Sequence, residues 1–241
     1  MTKKALIMGM PVKISILDER VEENDINDVF CYFKRIDEKF STYKKNSEVE
    51  KLNRGETKKV SPLMRKILNL SEKTRKETKG YFNIKIKGKL DPSGIVKGYA
   101  IHEACKMLLK KGYRNFYVEI AGDMEILGKI DKRKWKVGIE NPFERIEIIK
   151  VFNLSNCGVA TSGNYIRGEH IFNPIEKKPA DEIASITVIG PNAYEADRFA
   201  TAAFAMGEKG IDFIEGLEGF EGYLVTKGKK GIMTSGLKKY L

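Results

Sequence analysis

The feature of this sequence that most constrains its fold is a change in hydrophobic periodicity near Gly112. Before that glycine, apolar residues recur at the three- and four-residue spacing of helices with one buried face. After it come short runs with the alternation typical of strands in sheets that are covered on one face. A helical first half and a strand-rich second half predict an α+β fold.

Cap and stop signals place the individual elements. The predicted helices cover residues 25–40, 47–52, 61–80 and 93–109, with Ser47, Ser61 and Ser93 as their caps where a cap is evident. The predicted strands are FYVEIA, EILGKI, WKVGIE, IEIIKVFNL, EHIF and ASITVIG. A strand pair turning near Gly9 precedes them, and a hairpin of GYLVTK and KGIMTS follows them. The basic triplet 132–134 is interpreted as a hairpin turn between EILGKI and WKVGIE.

One more helix follows ASITVIG, with Asn192 as its candidate cap, and it carries Asp197 and Thr201. Residues four apart on a helix are neighbours, so the carboxylate and the hydroxyl can converge on one point. Mg²⁺ takes oxygen ligands and often uses only one or two carboxylates together with phosphates and waters. The pair therefore predicts a magnesium site shared with a phosphate substrate. The alternative is a surface charge beside a threonine bonded to its own helix.

A second segment, DPSGIVKGYA, begins at Asp91 and leads into a helix. With Ser93 as the cap, the free N–H groups of this helix N-terminus could bind a phosphate. Lys97, one turn further on, could reach the same anion. The segment lacks the spacing of a P-loop, so an ordinary capped helix is the alternative.

From about Ile7 to the C-terminus the chain resembles the ApbE family, the FAD:protein FMN transferases. The resemblance rests on the order of MGM, FSTYKKNSEVEKLN, KGYFN, DPSGIVKGYA, VEIAGDMEILG, WKVGIENP, VATSGNY, HIFNP and EADRFATAAFAMG. It implies a T-fold-like architecture of helices packed on antiparallel or mixed sheets. It also implies an Mg²⁺-dependent enzyme that moves the FMN part of FAD onto a Thr or Ser hydroxyl of an acceptor protein and releases AMP. We expect residues 1–241 to form one such domain, or two closely packed subdomains.

Carried over position by position, the resemblance also implies roles for individual residues. Asp197 and Thr201 would be side-chain ligands of the metal, and Gly94 would offer its carbonyl. His170 matches the histidine implicated as the base that activates the acceptor hydroxyl, and its unperturbed pKa of roughly 6.5 suits that task. The positions expected to contact FAD are Met8, Tyr43, Tyr81, Phe82, Asn83, Asp91, Lys97 and Phe172.

Several positions depart from the family pattern. Asn83 and Asn173 stand where the family has aspartate, and Met10 replaces a threonine. His102 stands where an aspartate is common, and we interpret it as an ordinary helix residue. The segment 84–90 is all that remains of a longer insertion that covers the nucleotide in larger members. Either FAD is bound more openly here, or a partner chain completes the site.

Charge and cysteine content restrict the partners and the compartment. The formal net charge is +11, yet the lysines occur mostly as short scattered pairs without a nucleic-acid reader motif. A solvated surface is therefore expected, and no nucleic-acid partner. No run approaches the ~18 apolar residues of a membrane helix. The three scattered cysteines, with Cys157 expected to be buried, and the absence of a signal peptide or lipobox predict a cytoplasmic protein.

Two alternative functions stay open at this point. The same metal site could hydrolyse FAD to FMN and AMP, with water in place of the acceptor hydroxyl. The chain could instead bind a flavin without catalysis. Family acceptors carry a short S/T-G-A-S/T type motif that is absent from this chain, so we do not expect it to modify itself.

Overall fold

The computed structural model describes residues 1–144, 146–164 and 171–241. Its helices are α1 (Glu23–Phe40), α2 (Glu48–Asn53), α3 (Pro62–Glu77), α4 (Ser93–Lys110), α5 (Ala193–Ala205) and α6 (Lys209–Glu215), followed by a 3₁₀ helix, Ser235–Tyr240. The first seven strands are β1 (Thr2–Ile7), β2 (Met10–Ile16), β3 (Lys85–Ile86), β4 (Lys89–Leu90), β5 (Phe116–Ile120), β6 (Asp123–Leu127) and β7 (Trp135–Glu140). The remaining strands are β8 (Ile148–Leu154), β9 (Cys157–Gly163), β10 (Phe172–Asn173), β11 (Lys178–Pro179), β12 (Ile183–Gly190), β13 (Glu221–Thr226) and β14 (Gly231–Met233).

Eight of these strands form one antiparallel sheet, in the order β1-β2-β5-β6-β9-β12-β13-β14. Three separate two-stranded sheets pair β3 with β4, β7 with β8, and β10 with β11. Helices α4 and α5 lie against the middle of the large sheet, where they contact β5, β6, β9 and β12. The α+β class predicted from the periodicity is confirmed.

Most of the predicted helix caps are confirmed. The side chains of Ser47, Ser61 and Asn192 accept hydrogen bonds from backbone N–H groups three residues further on, at 3.0, 3.2 and 2.9 Å. The prediction for Ser93 is wrong. Helix α4 begins at Ser93 itself, and the Asp91 carboxylate accepts the N–H of Ser93 at 3.0 Å. The aspartate two residues upstream thus takes the place of the expected serine cap.

The expected hairpin between EILGKI and WKVGIE is also wrong. Residues 130–133 do form a tight turn, with Asp131 and Lys132 at positive φ and a bridge between Ile130 and Arg133. The strands on either side nevertheless belong to different sheets. Strand β6 pairs with β5 and β9, whereas β7 pairs with β8. A turn fixes the local direction of the chain, but the partner of each strand is decided by packing.

Buried side chains give α5 its place against the sheet. Its apolar face includes Phe199 and Phe204, which pack with residues of β12 and α6. On the side of α4, the two helices approach closely at Gly98, where the Asp197 carboxylate accepts the Gly98 N–H. None of the helices among the described residues is long and apolar enough to cross a membrane. The third cysteine, Cys157, is buried as expected.

Candidate active site

A pocket opens where the N-terminus of α4, the middle of α5 and the end of β9 meet. Its space measures about 1410 Å³ when the adjoining open solvent is counted. Every site residue predicted from the sequence lines it, except His170, which lies outside the described residues: Met8, Tyr43, Tyr81, Phe82, Asn83, Asp91, Gly94, Lys97, Phe172, Asp197 and Thr201. Residues that are far apart in sequence therefore converge on one cavity, although the role of each stays a prediction.

The polar end of the pocket is built by two helices in close contact. Thr201 of α5 directs its hydroxyl toward the carbonyl oxygen of Gly94 in α4, at 3.5 Å. Four residues earlier on α5, the Asp197 carboxylate accepts the Gly98 N–H at 2.7 Å. Asp197 is only 3% exposed, so it is not the surface charge that the alternative interpretation required. The Thr201 hydroxyl is directed to α4, so it does not hydrogen-bond only within its own helix.

Burial raises the pKa of the Asp197 carboxyl to about 7. Lys97 opposes this rise, whereas the neighbouring Asp123 adds to it. The Lys97 ammonium lies 2.5 Å from an Asp123 oxygen and 3.9 Å from an Asp197 oxygen. Two buried carboxylates thus share one lysine. When both are ionised, the lysine balances only one of the two negative charges, and a cation would balance the other.

Asp123 is the functional candidate that sequence reasoning missed. It follows the tight turn at Ala121 and Gly122, both with positive φ, and it begins β6. Its second oxygen accepts the N–H of Thr161, at 3.0 Å, from the adjoining part of the pocket wall. The residue stood inside the motif VEIAGDMEILG, and a carboxylate directly after a hairpin turn was the available signal. Nothing local could have indicated that Lys97 would be its partner.

The oxygen atoms at this end suit a hard divalent cation. A carboxylate, a hydroxyl and a backbone carbonyl are ligands that Mg²⁺ accepts, with substrate phosphates and water completing its shell. No group of three or more His, Cys, Asp or Glu side chains able to hold a metal occurs in the described parts of the chain. A magnesium site of the predicted kind does not need such a group. The buried Asp197 carboxyl, with its raised pKa, is the observation that fits a cation best.

The N-terminus of α4 differs from the expectation in one respect. The Asp91 carboxylate already accepts one of the free N–H groups that we expected a phosphate to meet. The N–H groups of Ile95 and Val96 donate to the Pro92 carbonyl at 3.1 and 3.0 Å. The Gly94 N–H and the Lys97 side chain are therefore the elements that could bind an anion there. Asp91 and Lys97 both line the pocket, and their contacts with a nucleotide stay a prediction.

Much of the remaining lining of the pocket is apolar or aromatic. Phe82 is buried beside Gly94, whereas Tyr43 is 95% exposed. Met8 occupies the β1–β2 turn with a φ of 58°, next to Gly9 at 65°, as a two-residue hairpin turn with positive φ requires. Aromatic and methionine side chains of this kind provide flat, adaptable surfaces for a planar ring system.

The segment 84–90 forms the short β3–β4 hairpin at the rim of the pocket. Lys87 and Gly88 make its turn, with φ values of 49° and 80°. Ile86 lines the pocket, and the Lys87 ammonium lies 5.8 Å from the centre of the Phe172 ring. The shortened segment therefore still contributes part of the pocket wall.

Both asparagines that depart from the family pattern have structural partners. Asn83 accepts the N–H of Lys85 at 2.8 Å and so shapes the start of the β3–β4 hairpin. Asn173 is buried, donates to the Ala205 carbonyl at 2.9 Å, and accepts the N–H of Ile175 at 3.0 Å. Such amides perform the turn-forming task of an aspartate without its charge.

The sequence is similar to a known family and to curated relatives. A model described as the ApbE family matches residues 8–88 and 85–224. The FAD:protein FMN transferase of Haemophilus influenzae is 30% identical over 158 residues, which cover 60% of this chain and 45% of that relative. The FAD:protein FMN transferase of Salmonella typhimurium is 25% identical over 156 residues, with the same coverage of each chain. The matched segments thus span less than half the length of these curated relatives.

The fold is also similar to solved structures over its entire length. The ApbE protein from Thermotoga maritima gives a TM-score of 0.89 at 22% identity and covers 100% of this chain and 98% of that one. The flavin transferase ApbE from Vibrio cholerae gives 0.87 at 20% identity, with coverage of 100% and 99%. At these identities the likeness shows the fold, and it confirms the α+β architecture expected from the resemblance.

Proposed function

We propose, from the premise that this chain belongs to the ApbE family, that it transfers the FMN part of FAD to a Ser or Thr hydroxyl of an acceptor protein. The hydroxyl oxygen bonds to the phosphorus on the FMN side of the pyrophosphate, the bond to the AMP oxygen breaks, and AMP leaves. The names of the curated relatives support this activity. The proposal takes residues 1–241 as one domain, and it keeps the cytoplasmic location expected from the sequence.

The observation that carries the proposal is one pocket with two kinds of lining. Its apolar and aromatic side chains, among them Met8, Tyr81 and Phe172, suit a planar isoalloxazine ring. Its polar groups, with Asp197 and Thr201, line the same cavity and suit a pyrophosphate with its cation. FAD joins these two chemistries in one molecule.

The proposed residues of the polar end have distinct tasks. Mg²⁺, held by the Gly94 carbonyl, the Asp197 carboxylate and the Thr201 hydroxyl, would neutralise charge on the transferring phosphoryl group. Asp123 orients the Lys97 ammonium, which binds phosphate oxygens. His170 takes the proton of the acceptor hydroxyl, a role that rests on the resemblance and on its imidazole chemistry.

The test is to incubate the protein with FAD and Mg²⁺, with and without a peptide that carries an S/T-G-A-S/T motif. AMP, free FMN and the mass of the peptide are followed together. We expect AMP in equal amount to flavinylated peptide. AMP with free FMN, whether or not the peptide is present, would establish hydrolysis instead. FAD binding without AMP in either sample would establish a non-catalytic flavin binder.

A further inference from the structure

Three contacts join α4 to α5 at regular intervals, and we call them rungs. The first rung is the contact between Gly94 and Thr201. The second is the hydrogen bond from Gly98 to Asp197. On α4 these positions are four residues apart, and on α5 they are also four apart in the reverse direction. The two helices therefore run antiparallel with matching faces.

The third rung continues the same spacing and contains no residue of the proposed site. His102 follows Gly98 by four residues on α4, and Ala193 precedes Asp197 by four on α5. Between them stands Glu125 of β6. Its carboxylate accepts the Ala193 N–H at 2.9 Å and lies 3.0 and 3.1 Å from His102 Nδ1. The histidine interpreted from sequence as an ordinary helix residue thus has a specific partner.

The third rung is largely buried, so its polar groups need hydrogen-bond partners within the protein. Glu125 is only 5% exposed, and Ala193 is fully buried. The Ala193 N–H is one of the first-turn donors of α5, which have no partner within the helix, so a carboxylate at this end is also favoured by the helix dipole. An ionised carboxylate only accepts hydrogen bonds, so Nδ1 of His102 carries the hydrogen. Without Glu125 the Ala193 donor would be buried and unsatisfied.

Strand β6 connects this rung to the polar end of the pocket. Asp123 and Glu125 are two residues apart on one strand, so their side chains leave the same face of the sheet. Asp123 meets Lys97, and Glu125 meets His102, on the same helix. One strand face therefore holds α4 at two points and α5 at its N-terminus.

We propose that Glu125 and His102 are positioning residues that fix the register of α4 against α5. They thereby set the spacing of Gly94, Asp197 and Thr201, without touching substrate or metal. The part of this inference that concerns Mg²⁺ rests on the proposed function, whereas the part that concerns register does not.

The experiment compares Glu125→Ala and Glu125→Gln with a matched control, Glu221→Ala. Glu221 is also a buried strand glutamate, 9% exposed, and its carboxylate accepts hydrogen bonds from Thr234 and Lys239. It lies on β13, and neither of these hydrogen-bond partners belongs to α4 or α5. Gln at position 125 can accept the Ala193 N–H with its carbonyl and donate its amide to Nδ1 of the other His102 tautomer.

The first readout is hydrogen exchange of the Gly98 amide in the metal-free protein. This amide reports the second rung, which none of the variants changes directly. We expect Glu125→Ala to accelerate its exchange about tenfold more than Glu221→Ala does, and Glu125→Gln to leave it within about twofold of the unsubstituted protein. Exchange at the same rate in both alanine variants would overturn the inference. If Glu125→Ala does not fold, His102→Ala opens the same rung from the α4 side.

The second readout is the Mg²⁺ concentration that half-saturates the thermal stabilisation of the FAD-bound protein. Removing groups that orient metal ligands typically weakens metal affinity by about 10–100-fold. We expect a shift of about tenfold for Glu125→Ala and none for Glu221→Ala. If Mg²⁺ does not stabilise the unsubstituted protein, the result counts against the proposed function. The hydrogen exchange of the Gly98 amide would still test whether Glu125 fixes the register of α4 against α5.

Discussion

At the scale of single residues, the site depends on a carboxylate held in an environment that disfavours its charge. Asp197 is 3% exposed, and burial raises the pKa of its carboxyl to about 7. Lys97 is shared with Asp123, so it compensates only part of the negative charge. A cation at this point would stabilise the ionised form of Asp197, which burial disfavours. The raised pKa is therefore consistent with the proposed metal site.

The first prediction concerns the pH dependence of the metal-free protein. Because the folded pKa of Asp197 lies above the reference value of 3.8, its folded state holds the proton more tightly than its unfolded state. This contribution to stability is complete below about pH 4 and is lost as the pH rises through about 7. The loss is of the order of a few kcal/mol, because one unit of pKa difference corresponds to about 1.4 kcal/mol. Denaturant unfolding between pH 4 and 8, without Mg²⁺, measures it.

Asp197→Asn is the variant for this measurement. We expect a flatter stability profile between pH 4 and 8 and no Mg²⁺-dependent turnover. The amide can still accept the Gly98 N–H, so the protein should fold. A profile as steep as that of the unsubstituted protein would mean that another group titrates there.

The second prediction concerns Asp123 of β6, which forms an ion pair with Lys97. Asp123→Asn removes the charge that holds the ammonium, and it keeps an oxygen that can accept the Thr161 N–H. We expect kcat/KM for FAD to fall by roughly 10²-fold, as for the loss of a positioned charged group. Asp131→Asn, at an exposed turn position, is the control and should change nothing. Unchanged kinetics in Asp123→Asn would remove this residue from the site.

At the scale of elements, the close approach of α4 and α5 is the decisive feature. Gly98 permits it, because a Cβ at that position would lie 2.5 Å from both the Ala193 carbonyl oxygen and the Asp197 Cβ. The other face of α5 is filled by bulky side chains such as Phe199 and Phe204, which fix the helix on β12 and α6. The helix pair therefore cannot separate on one side without repacking on the other.

The third prediction is that Gly98→Ala forces α4 and α5 apart. Overpacking of this kind costs about 1–3 kcal/mol, which outweighs the gain in helix propensity from alanine. Mg²⁺-dependent turnover should be lost with it, since Asp197 and Gly94 lie on opposite helices. Gly216→Ala is the control, because a Cβ there would meet its nearest atom at 3.6 Å. Thermal unfolding and turnover of both variants test the prediction, and an equal response of the two would contradict it.

At the scale of the whole molecule, charge is the property that matters most for the proposed substrate. The net charge of +11 comes from 44 Lys and Arg against 33 Asp and Glu. Several exposed lysines, such as Lys44 and Lys111, are paired with carboxylates, so the positive charge is spread over the surface rather than concentrated in one patch. Such a field attracts anions over distances comparable to the Debye length, about 10 Å at 0.1 M salt.

The fourth prediction is a salt dependence of FAD association. We expect the association rate constant for FAD to fall several-fold between about 0.05 and 0.5 M salt, because screening removes the attraction of the pyrophosphate. Riboflavin, which has the ring but no phosphate, should associate at a rate that salt leaves nearly unchanged. Stopped-flow fluorescence of both flavins provides the measurement. Equal salt dependence for the two would exclude electrostatic attraction of the phosphates.

The sequence by itself determined the elements and the local geometry of the site. The helices and most of their caps follow from interactions between near neighbours in the chain. The same holds for the shared helix face of Asp197 and Thr201, which are four residues apart. The order of the motifs indicated the family. It also indicated most of the predicted site residues, and those within the described parts of the chain line the pocket. These features depend on nearby residues or on composition, so they can be predicted from the sequence.

Only the tertiary structure decided which distant groups meet. The pairing of β7 with β8, the contact of Lys97 with Asp123, and the rung through His102, Glu125 and Ala193 all join segments that the sequence leaves independent. Each depends on how α4 and α5 pack on the sheet, and that packing is set by the volumes of many side chains together. No local pattern encodes it, which is why Asp123 and Glu125 went unrecognised until the fold brought them to the same helix.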